Sequence, residues 1–123
     1  YNNFMEDIIS FFKDRLKYAK SHNIQKDQII LDPGIGFGKT LEQNFILLKN
    51  IDLFCSLGYP VLIGTSRKSF LGKTLGLDTD NILEGSIASN LFATKKGAKI
   101  LRVHDVKEIK KSLIIFEKAM NSK

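Results

Sequence analysis

The sequence predicts an α/β fold in which parallel strands alternate with amphipathic helices. Three short apolar runs each end in a polar loop, and residues with helical periodicity follow each loop. Another helical pattern precedes the first run. Strands that are connected through helices form right-handed crossovers and therefore a parallel sheet. Three such units make either a small open sheet or a sector of an eight-stranded barrel, and the local pattern does not separate the two.

The first half of the chain predicts a helix, a strand and a second helix. The leading helix is expected to end between residues 21 and 23, and the apolar run 28–31 predicts the first strand. The apolar face of the next helix is predicted to consist of Phe45, Leu48, Ile51 and Cys55. Gly58 is expected to terminate this helix, because glycine readily takes the left-handed conformation that follows a helix.

The second half repeats the same order. Residues 59–64 and 98–103 predict the second and third strands. The helix between them is predicted to bury an apolar face and to end at Gly97; that face consists of Ile87, Ala88, Leu91 and Phe92. Asp105 is expected to cap the last helix, with Glu108 three positions later in a capping-box arrangement.

Composition and charge limit the classes of protein. The 123 residues are enough for one domain or part of one, and a chain that starts at Tyr1 suggests a piece of a longer protein. The net charge of +6 favours anionic partners, but the Lys and Arg residues are scattered, so nucleic acid binding is not indicated. A single cysteine and the absence of any apolar stretch of about 20 residues favour a cytoplasmic protein without a membrane span.

A glycine-rich segment follows the first predicted strand. Asp32 stands at the end of that strand, and the glycines after it allow a ligand to approach the backbone closely. Two nucleotide motifs are excluded by spacing: a P-loop ending at Lys39 needs glycine where the chain has Pro33, and a dinucleotide fingerprint needs two residues between Gly36 and Gly38. Lys39 is expected to support the loop. The segment predicts a binding site of another kind.

The second predicted strand ends in a basic cluster. Arg67, Lys68 and Ser69 precede an apolar pair and are expected to start a short helix. Free backbone N–H groups at such a start can bind an anion. An exposed basic turn is the alternative interpretation.

The third predicted strand also ends in polar residues. Arg102 and His104 alternate with Val103, so at strand spacing their side chains project to the same side. An arginine can hold phosphate oxygens in a bidentate fork, and a neighbouring histidine can add a hydrogen bond. Pairing of Arg102 with Asp105 is the alternative.

Together, these three clusters resemble the motifs of the dihydropteroate synthase family. The matching segments are residues 32–39 (Asp-Pro-Gly-x-Gly-Phe-x-Lys), 66–69 (Ser-Arg-Lys-Ser) and 102–105 (Arg-Val-His-Asp), in the family's order. The resemblance implies that residues 1–123 form the C-terminal sector of a (β/α)8 TIM barrel, with three βα units and a leading helix. It also implies the activity: 6-hydroxymethyl-7,8-dihydropterin diphosphate condenses with p-aminobenzoate to give 7,8-dihydropteroate and diphosphate.

The resemblance assigns the site residues. Those implied to bind the pterin are Asp32, Gly36 and Lys68. Those implied to bind p-aminobenzoate are Phe37, Arg67 and Ser69. Arg102 and His104 are implied to bind the diphosphate and, with Lys68, to be the catalytic residues.

Other family elements lie outside this sequence. The family's phosphate-contacting loop and two further pterin-binding positions belong to earlier strands, so we expect these 123 residues to be inactive by themselves. The implied cofactor is Mg2+, whose ligand is expected from the N-terminal part of the barrel, with no metal ligand in this segment. The small-molecule substrates are the expected partners, and a homodimer is expected for the complete protein. A non-catalytic pterin-binding segment or a folate-dependent methyltransferase barrel is the alternative.

Overall fold

The computed structural model describes residues 2–123. Six α-helices lie in the described part of the chain: α1 (Asn2–Ser21), α2 (Leu41–Lys49), α3 (Ile51–Cys55), α4 (Ser69–Leu75), α5 (Leu83–Lys95) and α6 (Val106–Asn121). The strands are β1 (Leu62–Ile63) and β2 (Ile100–Leu101), and a 3-10 turn covers Lys26–Gln28. No helix within this range is long and apolar enough to cross a membrane.

The strands confirm the predicted parallel arrangement. Leu62 of β1 lies opposite Ile100 of β2, and Leu31 forms a parallel bridge with Val61 on the other side. The backbone N–H of Leu62 donates to the carbonyl of Leu31 at 2.8 Å. Three successive segments of the chain therefore run side by side in one direction, with helices between them.

The first predicted strand is much shorter than expected. Residues 28–31 contribute one bridge at Leu31, because Lys26–Gln28 forms the 3-10 turn. The side chain of Gln28 accepts a hydrogen bond from the backbone N–H of Gln25 at 2.8 Å, which stabilises that turn. The prediction of an extended strand from residue 28 was wrong for this reason.

The second predicted helix is divided in two at Asn50. The backbone of Asn50 has φ −110° and ψ 22°, and its side-chain amide donates to the carbonyl of Ile46 at 2.8 Å. The break changes which residues are buried: Leu48 and Ile51 are in the core as predicted, whereas Phe45 is 40% exposed. Gly58 takes the expected left-handed conformation, with φ 94°.

Helix α5 does not bury the predicted apolar face. Its buried residues are Ser86, Ser89, Asn90 and Ala93, whereas Phe92 is exposed. The polar side chains on this face bond to the loop after β1, which explains their burial. The end of the helix is as predicted, since Gly97 follows it with φ 112°.

Helix α6 begins at the predicted position without the predicted cap. Asp105 occupies the N-cap position but its side chain makes no capping hydrogen bond, because the carboxylate pairs with Arg67. Ile109 is the buried residue of this helix, whereas Val106 and Met120 are exposed.

The hydrophobic core lies between the parallel segments and the helices. The fully buried apolar side chains at its centre are Leu47, Ile51, Phe54, Val61 and Ile63. Helix α1 joins this core through Phe12, whose ring meets that of Phe54 edge to face at 5.5 Å. The parallel segments run in one direction, so the polar loops that follow them lie at the same edge of the sheet.

Candidate functional site

A cavity of about 320 Å3 lies at the C-terminal ends of the parallel segments. The residues that line it are Phe37, Gly64, Ser66, Arg67, Lys68, Arg102, Val103 and His104. Five of them are site residues expected from the sequence. All three strand-end loops therefore contribute to one site.

Three expected site residues do not line this cavity. Asp32 is exposed at the end of the first segment, and its Oδ1 accepts a hydrogen bond from the backbone N–H of Gly34 at 2.9 Å. Gly36 lies against Lys68, which does line the cavity. Ser69 is exposed and is the first residue of α4.

Residues 32–39 form a loop, called the glycine loop below, that is hydrogen-bonded on two sides. The side chain of Lys39 donates to the carbonyls of Gly34 at 2.9 Å and Phe37 at 3.1 Å, which confirms its expected supporting role. On the other side, the backbone N–H of Gly36 donates to Oδ1 of the buried Asn44 at 2.8 Å. The role of Asn44 is not predictable from the sequence, because its position inside α2 carries no local signal.

Helix α2 starts where the glycine loop ends, and its N-terminus is capped. Gln43 donates its backbone N–H to Thr40 Oγ1 at 3.1 Å, and Thr40 donates its own backbone N–H to Gln43 Oε1 at 3.0 Å. Such a Thr-x-x-Gln capping box is a signal that the sequence contains. The cap fixes the end of the glycine loop.

Lys68 is packed between the loops. Its Nζ lies 4.1 Å from the centre of the Phe37 ring, a cation–π distance. A methyl group at Gly36 would come within 2.9 Å of Lys68 Cδ, so glycine is needed for this close approach. Burial lowers the pKa of Lys68, the charge of Arg102 lowers it further, and Asp32 opposes both effects.

Arg102 lies across the backbone at the end of β1. Its Nε and Nη2 are each 3.2 Å from the position that a Cβ atom would take at Gly64. Within residues 3–123 the guanidinium has no hydrogen-bonded side-chain partner. The alternative pairing of Arg102 with Asp105 is therefore not what the structure shows.

Arg67 forms the ion pair with Asp105 instead. Nη2 donates to Oδ1 at 2.8 Å and Nε to Oδ2 at 3.4 Å, so the contact is a two-pronged one that connects the loop after β1 with the loop after β2. The hydrogen bond from Arg67 lowers the pKa of Asp105 and raises that of Arg67. This pair is neutral overall, so the cations at the cavity without a salt-bridge partner among residues 3–123 are Lys68 and Arg102.

The backbone of Arg67 has φ 55°. Residues other than glycine rarely adopt this left-handed conformation, which costs them about 1–2 kcal/mol. The turn is closed by a hydrogen bond from the backbone N–H of Lys68 to the carbonyl of Thr65 at 3.1 Å. Buried polar side chains of α5 lie beneath the turn, where the sequence pattern predicted an apolar face.

Among the described residues, no group of three or more His, Cys, Asp or Glu side chains is placed to hold a metal ion. The site consists of cationic side chains and an aromatic wall. Such a site can bind and orient an anionic aromatic molecule.

Comparison with known proteins places the chain in a family. The family described as pterin binding enzyme matches residues 1–104, and the chain belongs to this family of pterin-binding enzymes. Among curated proteins, the chain is similar to the dihydropteroate synthase of Haemophilus influenzae, with 43% identity over 122 residues. It is also similar to the dihydropteroate synthase of Bacillus subtilis, with 39% identity over 121 residues.

The alignments include almost all of this chain but less than half of each relative. It covers 99% of this chain and 44% of the Haemophilus influenzae protein, and 98% of this chain and 42% of the Bacillus subtilis protein. The chain thus spans less than half the length of these relatives.

Solved structures give the same result for the fold. A dihydropteroate synthase of Xanthomonas albilineans, solved with 4-aminobenzoic acid, superposes with a TM-score of 0.96 at 34% identity, covering 100% of this chain and 45% of that one. The dihydropteroate synthase of Thermus thermophilus, solved in complex with 6HMPPP, superposes with a TM-score of 0.91 at 38% identity. The superposition covers 98% of this chain and 48% of that one. The expected fold is confirmed: the chain is a sector of a (β/α)8 barrel, not an open sheet.

Proposed function

We propose that this chain forms part of a dihydropteroate synthase. The observation that supports this most directly is that two cations without a salt-bridge partner among residues 3–123, Lys68 and Arg102, line one cavity together with the Phe37 ring. An anionic and aromatic substrate fits such a site. The similarity to dihydropteroate synthases over almost the whole chain supports the same reaction.

Asp32 and Lys68 are proposed to hold the pterin ring. An ionised carboxylate only accepts hydrogen bonds and an ammonium only donates them, so the pair recognises an edge that presents donors beside acceptors. Apart from its bond to Gly34, Asp32 makes no hydrogen bond with residues 3–123, which leaves its second oxygen for a ligand. Gly36 contributes by letting Lys68 lie close to the loop.

Arg102 and His104 are proposed to receive the diphosphate. Both side chains are exposed to the cavity, and the guanidinium has donors available for phosphate oxygens. Lys68 adds positive charge from the neighbouring loop.

The p-aminobenzoate is proposed to bind beside Phe37. The ring of Phe37 is 60% exposed and provides an apolar surface for the substrate ring. Arg67 is already paired with Asp105, so it acts as a wall of this pocket and not as a free counterion. The Ser69 hydroxyl and the backbone N–H groups beside it are proposed to meet the carboxylate.

The proposed reaction needs no protein nucleophile. The aniline nitrogen attacks the methylene carbon of the pterin, the C–N bond forms as the C–O bond breaks, and diphosphate leaves with the electron pair of that bond. The nitrogen then loses one proton to water. In this proposal the site acts by orienting the two substrates and by stabilising the negative charge that develops on the leaving group. Lys68, Arg102 and His104, which line the same cavity, are proposed to provide that stabilisation.

Within the part of the chain that the structure describes, no three or more His, Cys, Asp or Glu side chains cluster together. No step above involves a metal. Participation of Mg2+ through residues outside this sequence stays a prediction, as does a homodimer of the complete protein.

The proposal is tested by assaying a complete barrel that carries this sequence. We expect it to form 7,8-dihydropteroate and diphosphate from the two substrates, and Arg102→Ala to reduce kcat/KM strongly. Binding of the pterin without any product, in a protein with an intact fold, would show a non-catalytic pterin-binding protein instead.

A further inference from the structure

Three consecutive residues of the turn after β1 are each bonded to the same face of α5. Thr65 Oγ1 lies 2.7 Å from Ser89 Oγ, and the backbone N–H of Arg67 donates to Ser86 Oγ at 3.2 Å. Between them, Asn90 Nδ2 donates to Ser66 Oγ at 3.4 Å. The helix residues are spaced i, i+3 and i+4, so they form one face that matches the turn residue by residue.

This face carries polar side chains where a helix normally presents apolar ones. Ser86 and Asn90 have no exposed surface, and Ser89 is 8% exposed. Asn90 Nδ2 also donates to the carbonyl of Ser86 at 2.6 Å, but the buried Asn90 Oδ1 has no hydrogen-bond partner among the described residues. A buried oxygen without a partner destabilises the fold, so stability does not explain the amide at Asn90.

The turn needs such support because its backbone is strained. The left-handed conformation of Arg67 is maintained only if its surroundings determine it. The same turn carries Arg67, which pairs with Asp105, and Lys68, which lies over Phe37. A change of its backbone would therefore move both side chains at once.

We propose that the polar face of α5, formed by Ser86, Ser89 and Asn90, is a positioning surface for the turn that carries Arg67 and Lys68. None of the three contacts substrate in this proposal. They act through the turn, by holding the one backbone conformation in which Lys68 faces the glycine loop while Arg67 faces Asp105. The kinetic part of the test rests on the proposed function.

The experiment compares two variants with a matched control in a complete barrel that carries this sequence. Asn90→Leu keeps the branched shape but removes the amide, and Ser89→Ala removes the hydroxyl that meets Thr65. The control is Thr94→Val, which removes a hydroxyl from the same helix that bonds only to the carbonyl of Asn90, at 2.9 Å. All four proteins are assayed at a temperature at which circular dichroism shows each to be folded.

We expect kcat/KM to fall by about 10-fold to 100-fold in Asn90→Leu and Ser89→Ala, since a misplacement of roughly 1 Å has effects of that size. KM for p-aminobenzoate should rise, whereas Thr94→Val should behave like the unmodified protein. Hydrogen exchange of the backbone N–H of Arg67 should become faster in the two variants only. If both variants keep the kcat/KM and the exchange rate of the unmodified protein, the polar face is a structural feature and the proposal is wrong.

Failure of the proposed function would look different. In that case the unmodified protein forms no dihydropteroate, and the positioning role is judged from hydrogen exchange and from the calorimetric affinity for a phosphate-free pterin. Faster exchange of Arg67 together with weaker pterin binding would then support the proposal, and unchanged values of both would overturn it.

Discussion

The ammonium of Lys68 lies 4.1 Å from the centre of the Phe37 ring and joins two loops that are far apart in the sequence. Phe37 belongs to the glycine loop and Lys68 to the turn after β1. Because the two residues are assigned to different substrates, this contact places the proposed pterin and p-aminobenzoate pockets side by side. It also makes the position of each loop depend on the other.

The contact predicts the effect of Phe37→Leu. Leucine keeps apolar bulk but loses the aromatic face, so the cation–π attraction of about 0.5–2 kcal/mol is lost. We expect KM for p-aminobenzoate to rise several-fold in steady-state assays. The control is Phe45→Leu. Phe45 lies on α2, the centre of its ring is 5.3 Å from that of Phe70, and it does not line the cavity. Equal effects of the two substitutions would argue against a specific role of the Phe37 ring.

Two glycines of one loop provide a matched pair. Gly36 and Gly38 both have positive φ, 87° and 63°, so alanine strains the backbone at either position. An added methyl group would lie 2.9 Å from Lys68 Cδ at Gly36, whereas nothing lies within 4 Å at Gly38. Both alanine variants should lose about 1–2 kcal/mol of unfolding free energy. Only Gly36→Ala should also weaken pterin binding in calorimetry, and a similar loss in Gly38→Ala would contradict the proposed role of Lys68.

Substitution of Arg102 tests the proposed diphosphate site. Arg102→Lys keeps the charge but loses the planar fork that binds two phosphate oxygens. Affinity for the pterin diphosphate should fall, while affinity for the same pterin without phosphate should stay unchanged. Arg15→Lys is the control, because Arg15 lies 4.6 Å above the Tyr18 ring on α1, away from the cavity. Loss of both affinities would point to a damaged fold.

The pKa of Lys68 predicts a pH dependence. Burial, and then the charge of Arg102, lower this pKa below the usual lysine value, whereas Asp32 raises it. Lys68 should therefore lose its proton at a lower pH than an unperturbed lysine does. Arg102→Gln should raise the pKa, and Asp32→Asn should lower it; NMR titration of the Lys68 side chain measures both. Shifts in the same direction would show that the charges of Arg102 and Asp32 do not control Lys68.

The lowered pKa of Lys68 also determines how this residue makes the unfolding free energy depend on pH. Between the lowered pKa of folded Lys68 and the usual value, the unfolded chain binds more protons than the folded one. The contribution of Lys68 to the unfolding free energy therefore rises with pH in this interval, and below it the charged ammonium destabilises the fold. Chemical denaturation of the unmodified protein and of Lys68→Met across this interval measures the difference. The Lys68 side chain is half-buried and keeps some contact with solvent, which screens its charge, so the difference should be small.

Much of the architecture follows from local patterns. The order of helices and strands, the parallel direction of the strands, and the helix ends at Gly58 and Gly97 could all be read from periodicity and from glycine. It could also be predicted that the polar clusters at the strand ends lie together, because the carboxyl ends of parallel strands meet at one edge of the sheet. Five of the eight expected site residues line the cavity that forms there.

Other features depend on which segments meet. Asp105 looks like a helix cap in the sequence, but Arg67 from another loop offers a charged partner for its carboxylate. Ser86 and Asn90 look like surface residues of α5, yet they lie beneath a strained turn and bond to it. Local sequence determined the type and order of the elements, since periodicity and turn chemistry act over a few residues. Only the tertiary structure decided the partners of these polar groups, because hydrogen bonds and ion pairs between distant segments form once the core has brought those segments together.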